Sequence, residues 1–287
     1  MKTNFRRVLY VMLLGVVLYF AFAVFRGMGK LGDRLGGYAW WTFAVACALA
    51  FGNYVLRFVK WEFYLARLGV RGVSKGDSFL TFLSGFILTV TPGKVGEVFK
   101  SVVLKETHGV PLERTAPIVI AERVTDLVGI ILLIAVGSAG FEGGLFWAGV
   151  GTVLVLALVV LIAWRAASLW LLALLDRLGG PFRRIGPKLL SAYESLAVLV
   201  APRNLLWPTA LSVAAWLLEC FSLWIILHGF GETTSVALST FFYATSTLAG
   251  ALVPIPIGVT EGALLQQLEV LGHVEPAAAT GAMILVR

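Results

Sequence analysis

Two short stretches of an otherwise apolar chain combine a helix breaker, glycine and charge in a pattern able to hold an anion. The first runs Thr91-Pro92-Gly93-Lys94-Val95-Gly96-Glu97, and the second runs Pro256-Ile257-Gly258-Val259-Thr260-Glu261. Proline removes a backbone donor and glycine relaxes φ, so each stretch interrupts a helix and releases N–H groups. Lys94, set between Gly93 and Gly96, adds an ammonium to those groups, and the two together suit a phosphate. The competing reading for Lys94 is snorkelling to water. Glu97 and Glu261 each fall in the first turn of an outgoing half-helix. Unsatisfied N–H groups and the helix dipole stabilise a carboxylate there, so capping and substrate contact are both open to them.

The remaining charges inside apolar sequence are Glu122, Arg123, Asp126, Glu219 and Arg287, with Asn53 and Arg57 nearer the end of their span. An ionisable group at the bilayer centre costs about 2.5–3.5 kcal/mol on insertion scales, so each needs a partner or a task. Arg123 follows Glu97 by 26 positions and Arg287 follows Glu261 by 26. Each arginine is therefore a candidate salt-bridge partner, within its half of the chain or across to the other. Glu122 and Asp126 share a helix face at i and i+4, with Arg123 offset from it. For Glu219 the alternatives are a substrate contact and a hydrogen bond to a neighbouring helix. Lys60, Lys100 and Lys105 read as ordinary charges of the inner membrane face.

Enzyme chemistry finds little purchase. His108, His228 and His273 sit near element boundaries without metal-ligand spacing, and four aspartates are scattered singly. The sequence has no nucleophile elbow and no Walker motif. No catalytic residue, metal or cofactor is expected, and the expected partners are membrane lipids with a phosphate-bearing headgroup, not nucleic acid. Oligomeric state stays open.

The elements that must carry these residues are membrane helices. Of 287 residues 59% are hydrophobic and 14% charged, against about 45–50% and 25% in soluble domains. The spacing predicts full spans over 8–25, 38–59, 115–136, 145–164 and 205–228, with a last apolar run over 276–287. Residues 8–25 read as an uncleaved signal anchor. The arms 79–90 and 98–104, on either side of the first break, are each too short to span, which implies a re-entrant hairpin. With the N-terminus inside, sixteen Lys and Arg fall inside and three outside, so the expected setting is a multi-pass protein of the cytoplasmic (inner) membrane. Residues 168–200 read as two amphipathic helices on the inner surface, broken at Gly179-Gly180-Pro181 and Gly186-Pro187. Cys47 and Cys220 read as packed thiols.

The two broken stretches also match each other. Pro92 precedes Glu97 by five and Pro256 precedes Glu261 by five, a constant offset of 164. That pattern implies two inverted repeats, about 38–137 and about 205–287, in one all-α integral domain covering 1–287. The second repeat ends at Arg287 where the first continues, so its last helix is expected to be truncated.

The motifs TPGKVGEVFK at 91–100, ERVTD at 122–126 and PIGVTEGAL at 256–264 resemble those of the lysylphosphatidylglycerol synthase transmembrane-region family, over nearly the whole chain. These are also described as flippase-like membrane proteins and include relatives of an archaeal dolichol-linked glycosylation protein. The resemblance implies lipid translocation or lipid-linked processing. The soluble aminoacyl-transferase domain is missing here, so lysyl transfer is not implied. The expectation is a lipid transporter moving an anionic phospholipid or a polyprenyl-phosphate-linked lipid between leaflets by rocking of the two halves. The alternative is a membrane-embedded enzyme or accessory subunit in lipid-linked glycosylation or lipid modification.

Overall fold

The computed structural model describes residues 28–87, 97–138, 146, 149–150, 153, 182–251, 253 and 258–287. The expected span 8–25, most of 145–164 and the first part of the 168–200 stretch lie outside the described residues. So does the linker of each broken segment. Among the described residues the chain is all helical, with no strand.

The helices are α1 (Met28–Gly36), α2 (Trp40–Arg67), α3 (Lys75–Ile87), α4 (Phe99–His108), α5 (Leu112–Thr115), α6 (Pro117–Ser138), α7 (Phe182–Leu199), α8 (Pro202–Gly229), α9 (Val236–Ala251), α10 (Val259–Val270) and α11 (Pro276–Val286). Helices α2 and α8, each of 28 residues, are long and apolar enough to cross a membrane. Helix α2 continues eight residues beyond the expected end at 59, which carries Lys60 inside a helix instead of beyond one. Helix α3 begins four residues before the expected start at 79. There the Ser74 hydroxyl accepts the Asp77 backbone N–H at 3.1 Å and donates to its carboxylate at 2.8 Å, closing the first turn.

The two broken segments each give a pair of short helices packed on one another, α3 with α4 and α9 with α10. At 1.5 Å per residue their lengths are about 20, 15, 24 and 18 Å, all short of a hydrocarbon core of about 30 Å. Local geometry recurs at the 164-residue offset. Helix α3 ends at Ile87 and α9 at Ala251. Gly109 closes α4 at φ 66°, and His273, the one non-glycine residue with positive φ among those described, sits before α11 at φ 51°. Pro111 and Glu275 then open the next helices with φ/ψ of −57°/133° and −58°/135°.

Two expectations are corrected. No break occurs at Gly186-Pro187, because α7 runs through Pro187. The proline lies one turn into the helix, where the donor it lacks removes a single intrahelical bond beside N–H groups that have no partner anyway. Cys220 is buried, but Cys47 is exposed on α2 and is not a packed thiol.

The chain divides into two compact units. One comprises Asn53–Leu132 and Phe146–Trp216. Its core joins Trp61, Tyr64, Phe82, Leu104, Ile118 and Leu199. Phe58 meets Phe79 edge-on at 5.1 Å, and Phe82 meets Phe86 the same way at 5.1 Å. The other unit comprises Met1–Gly52, Leu133–Leu145 and Leu217–Arg287. Here α10 packs on α11 and α11 on α1, around buried Phe242, Leu264, Leu268, Ala278 and Met283. Gly137 lets the end of α6 approach the α9 backbone so closely that an added Cβ would lie 2.7 Å from the Phe241 nitrogen.

Candidate functional site

Charge is concentrated inside the Asn53–Leu132/Phe146–Trp216 unit. Arg57 and Lys60, three apart on α2, share a helix face, as do Glu122 and Asp126, four apart on α6. Lys60 Nζ donates to Asp126 Oδ1 at 2.6 Å and to Ser212 Oγ at 2.9 Å, and Ser212 Oγ donates to the same Oδ1 at 2.9 Å. Arg57 approaches Asp126 Oδ2 only to 3.5 Å and lies 4.9 Å from the centroid of the Trp216 ring. Asp126 is therefore one carboxylate facing two cations.

Lys100, on α4, donates to Glu122 Oε2 at 2.5 Å and sits 4.6 Å from the centroid of the Trp61 ring. Its stem runs along Gly85, where an added Cβ would stand 3.4 Å from Lys100 Cδ, about van der Waals contact. Arg123 pairs with Glu97. Burial is deep: Lys60 is 2% exposed, Asp126 3%, Lys100 4% and Glu122 7%. A small cavity opens among Arg57, Lys60, Phe82, Gly85, Phe86, Glu97, Lys100 and Glu122. Its described lining carries three cations, Arg57, Lys60 and Lys100, and two carboxylates, Glu97 and Glu122. Lysine and arginine donors are the side chains that suit an oxyanion, and in this structure Lys60 and Lys100 are paired with Asp126 and Glu122.

Of the residues expected from the sequence, Thr91, Pro92, Gly93, Lys94, Gly96 and Pro256 lie outside the described residues. Glu97 lies in a 3-10 turn that runs into α4 and pairs with Arg123. Glu261 does cap: it lies in the first turn of α10 and accepts the Gly258 N–H at 2.7 Å, with Gly258 at φ 88°. Its other oxygen is 3.7 Å from Arg287 Nε. Each arginine 26 residues downstream thus pairs with the glutamate of its own half. In the second unit Tyr243 Oη donates to Glu219 Oε2 at 3.2 Å. Gln267 bridges Thr245 at 2.7 Å and Ser246 at 3.2 Å.

The sequence reading missed Lys60 and Lys100. Both stand near helix ends by composition, where the positive-inside rule reads a lysine as solvated; the structure buries and pairs both. The available signal was Arg57 and Lys60 three apart on an apolar helix, opposite Glu122 and Asp126 four apart on another.

The profile of the lysylphosphatidylglycerol synthase transmembrane region matches residues 8–287. A UPF0104 membrane protein of Methanothermobacter thermautotrophicus is 22% identical over 267 residues, covering 87% of this chain and 79% of that protein. No solved structure matches the chain.

Proposed function

Given that the chain belongs to the lysylphosphatidylglycerol synthase transmembrane-region family of membrane proteins, we propose that it moves a phosphate-bearing lipid between the leaflets of the cytoplasmic membrane. The observation that carries this reading is the cavity of the Asn53–Leu132/Phe146–Trp216 unit, where Arg57, Lys60 and Lys100 face one opening. Buried cations are held by carboxylates, as Lys60 and Lys100 are here, or mark a ligand path, and the proposal takes the second role alongside the first because an oxyanion complements their donors. The phosphate of an anionic phospholipid, or of a polyprenyl-phosphate-linked lipid, docks there while its chains stay in hydrocarbon.

Two inverted repeats, each with a re-entrant helix pair, form the scaffold of this proposal. They are supported by the helix ends at Ile87 and Ala251 and by the positive φ of Gly109 and His273. The two glutamate–arginine pairs, both spanning 26 residues, add to that support. Interrupted helices at matching places in two halves mark binding sites in transporters built this way. The reading also takes Lys94, with Gly93 and Gly96, as a phosphate contact on its sequence pattern, and it sets the N-terminus inside on the Lys and Arg distribution.

The test is translocation of a fluorescent phospholipid in proteoliposomes. Wild-type protein should accelerate leaflet exchange over protein-free vesicles, and Lys100→Met should lose most of that acceleration. Equal exchange with and without the wild-type protein, for this phospholipid and for a fluorescent polyprenyl-phosphate-linked lipid assayed the same way, sinks the proposal.

A further inference from the structure

His108 and Asp77 stand at one end of the helix pair α3–α4, apart from the buried charged cluster. His108 is the last residue of α4, and Asp77 lies in the first turn of α3. The histidine Nε2 is 3.6 Å from Asp77 Oδ2, with the histidine side chain 20% exposed and the aspartate 55%. The helix dipole favours a cation at a C-terminus and a carboxylate in a first turn, so both charges suit their places. Ser74 Oγ donates to the same Oδ2 at 2.8 Å and accepts the Asp77 N–H at 3.1 Å, which fixes the carboxylate.

The hydrogen bonds on the far side of the ring select its charged form. Thr107 Oγ1 donates its one proton to the Val103 carbonyl at 2.8 Å and stands 2.8 Å from His108 Nδ1, so Nδ1 is the donor of that second bond. In a neutral ring with its proton on Nδ1, Nε2 turns a lone pair towards the Asp77 carboxylate. With the proton on Nε2 instead, Nδ1 takes the Thr107 proton and the Val103 carbonyl loses it. The imidazolium alone serves Thr107, Val103 and Asp77 together.

The second helix pair dispenses with this arrangement. At the 164-residue offset Ser74, Asp77, Thr107 and His108 become Leu238, Phe241, Leu271 and Gly272, yet α9 and α10 pack on one another. An exposed ion pair also adds little stability by itself. What sets this one apart is that it is conditional. The other ion pairs described in this unit join Lys or Arg to a carboxylate, whereas histidine is the side-chain type that ordinarily changes charge between about pH 5 and 8. The remaining charged groups described at this end are Arg71, Lys75 paired with Glu62 of α2, Lys105 and Glu106 of α4, and Glu113 and Arg114 of α5, with Arg114 donating to the Leu68 carbonyl.

Phe82, Gly85 and Phe86 of α3 and Lys100 of α4 line the cavity, so the hold between the two helices sets its width. We propose that His108 and Asp77 form a pH-sensitive clasp on this helix pair, closed when the imidazole is protonated and released as pH rises. The clasp needs no ligand and goes beyond the transport reading. With the N-terminus inside, as proposed above, it faces the cytoplasm.

Amide hydrogen exchange of the full chain in detergent tests this, at about pH 5.5 and about pH 8 with labelling times scaled to the intrinsic amide rates. Peptides covering 74–80 and 103–110 should lose roughly 1.5- to fivefold of their protection at the higher pH, the range that an exposed ion pair supplies. His108→Gln should show the lower protection at both pH values. His108→Lys, charged at both, should keep the higher protection at both. Asp77→Asn, which still offers Ser74 an acceptor, should remove the pH dependence.

Wild-type protection that is equal at the two pH values overturns the proposal, as does a pH-dependent loss that survives in His108→Gln. Because the readout is helix opening, protein that fails to exchange lipid between leaflets refutes the transport reading and leaves the clasp standing.

Discussion

Asp126→Asn is the sharpest perturbation of the buried cluster, because one carboxylate there answers two cations. Asp126 is 3% exposed, with Lys60 Nζ at 2.6 Å and Arg57 at 3.5 Å. Asparagine matches aspartate in shape and keeps an acceptor for Lys60 and Ser212, so the change is close to a pure loss of charge. Removing one partner of a buried ion pair costs about 3–5 kcal/mol, since the survivor is left uncompensated. For a chain of this size that corresponds to a fall in Tm on the order of 10 °C. Fluorescence-detected size exclusion after heating in detergent reads that shift without assuming any activity.

The second half of the experiment is Lys60→Met in the same background. It removes the stranded ammonium while filling its volume, and should restore about half or more of the lost stability. Asp126→Asn at wild-type Tm, or a Lys60→Met change that adds to the loss, would refute the claim that Lys60 and Asp126 are electrostatically coupled in a dry interior.

Other outcomes follow from single contacts. Gly137→Ala should destabilise by about 1–3 kcal/mol, because the new Cβ would meet backbone atoms of α9, the Phe241 nitrogen at 2.7 Å and the Ala237 oxygen at 2.9 Å, which have little room to move. The same melting assay should find His273→Gly neutral or mildly stabilising and His273→Val destabilising by about 1–2 kcal/mol, given its φ of 51°. Glu261→Gln should lose no more than about 1 kcal/mol, since its pair with Arg287 is partly exposed and the amide oxygen still accepts the Gly258 N–H. Glu261→Ala, which also removes the cap, should lose about 1 kcal/mol more.

The recurring 26-residue spacing marked Arg123 and Arg287 as candidate partners of the glutamates but left open whether within a half or across, and the structure joins each within its own half. What placed Lys60 and Lys100 was packing, which has no local sequence signal. Lys100 is buried with Trp61 beneath its ammonium and Glu122 as its partner. Composition alone cannot distinguish that lysine from Lys105, one turn further on. The start of α3 was misplaced for a different reason. Apolar periodicity begins at Phe79, but the Ser74–Asp77 hydrogen bonds begin the helix earlier. Pro187 was read as a breaker by type, when its distance from the helix start decides whether a missing donor matters.

The ammonium over Trp61 has an optical consequence. The indole is fully buried, its Nε1 donates to Ser78 Oγ at 3.2 Å, and a positive charge stands 4.6 Å from its ring centroid. Indole emission shifts with the local electric field, and the cation producing much of that field here also lines the cavity. An anion that draws Lys100 off the ring changes the emission of Trp61 directly. Nine tryptophans share the spectrum, so the difference between the wild-type protein and Trp61→Phe isolates that one fluorophore. Under the proposed anion binding, Trp61 would serve as a gauge of cavity occupancy that needs no label on the chain or the ligand.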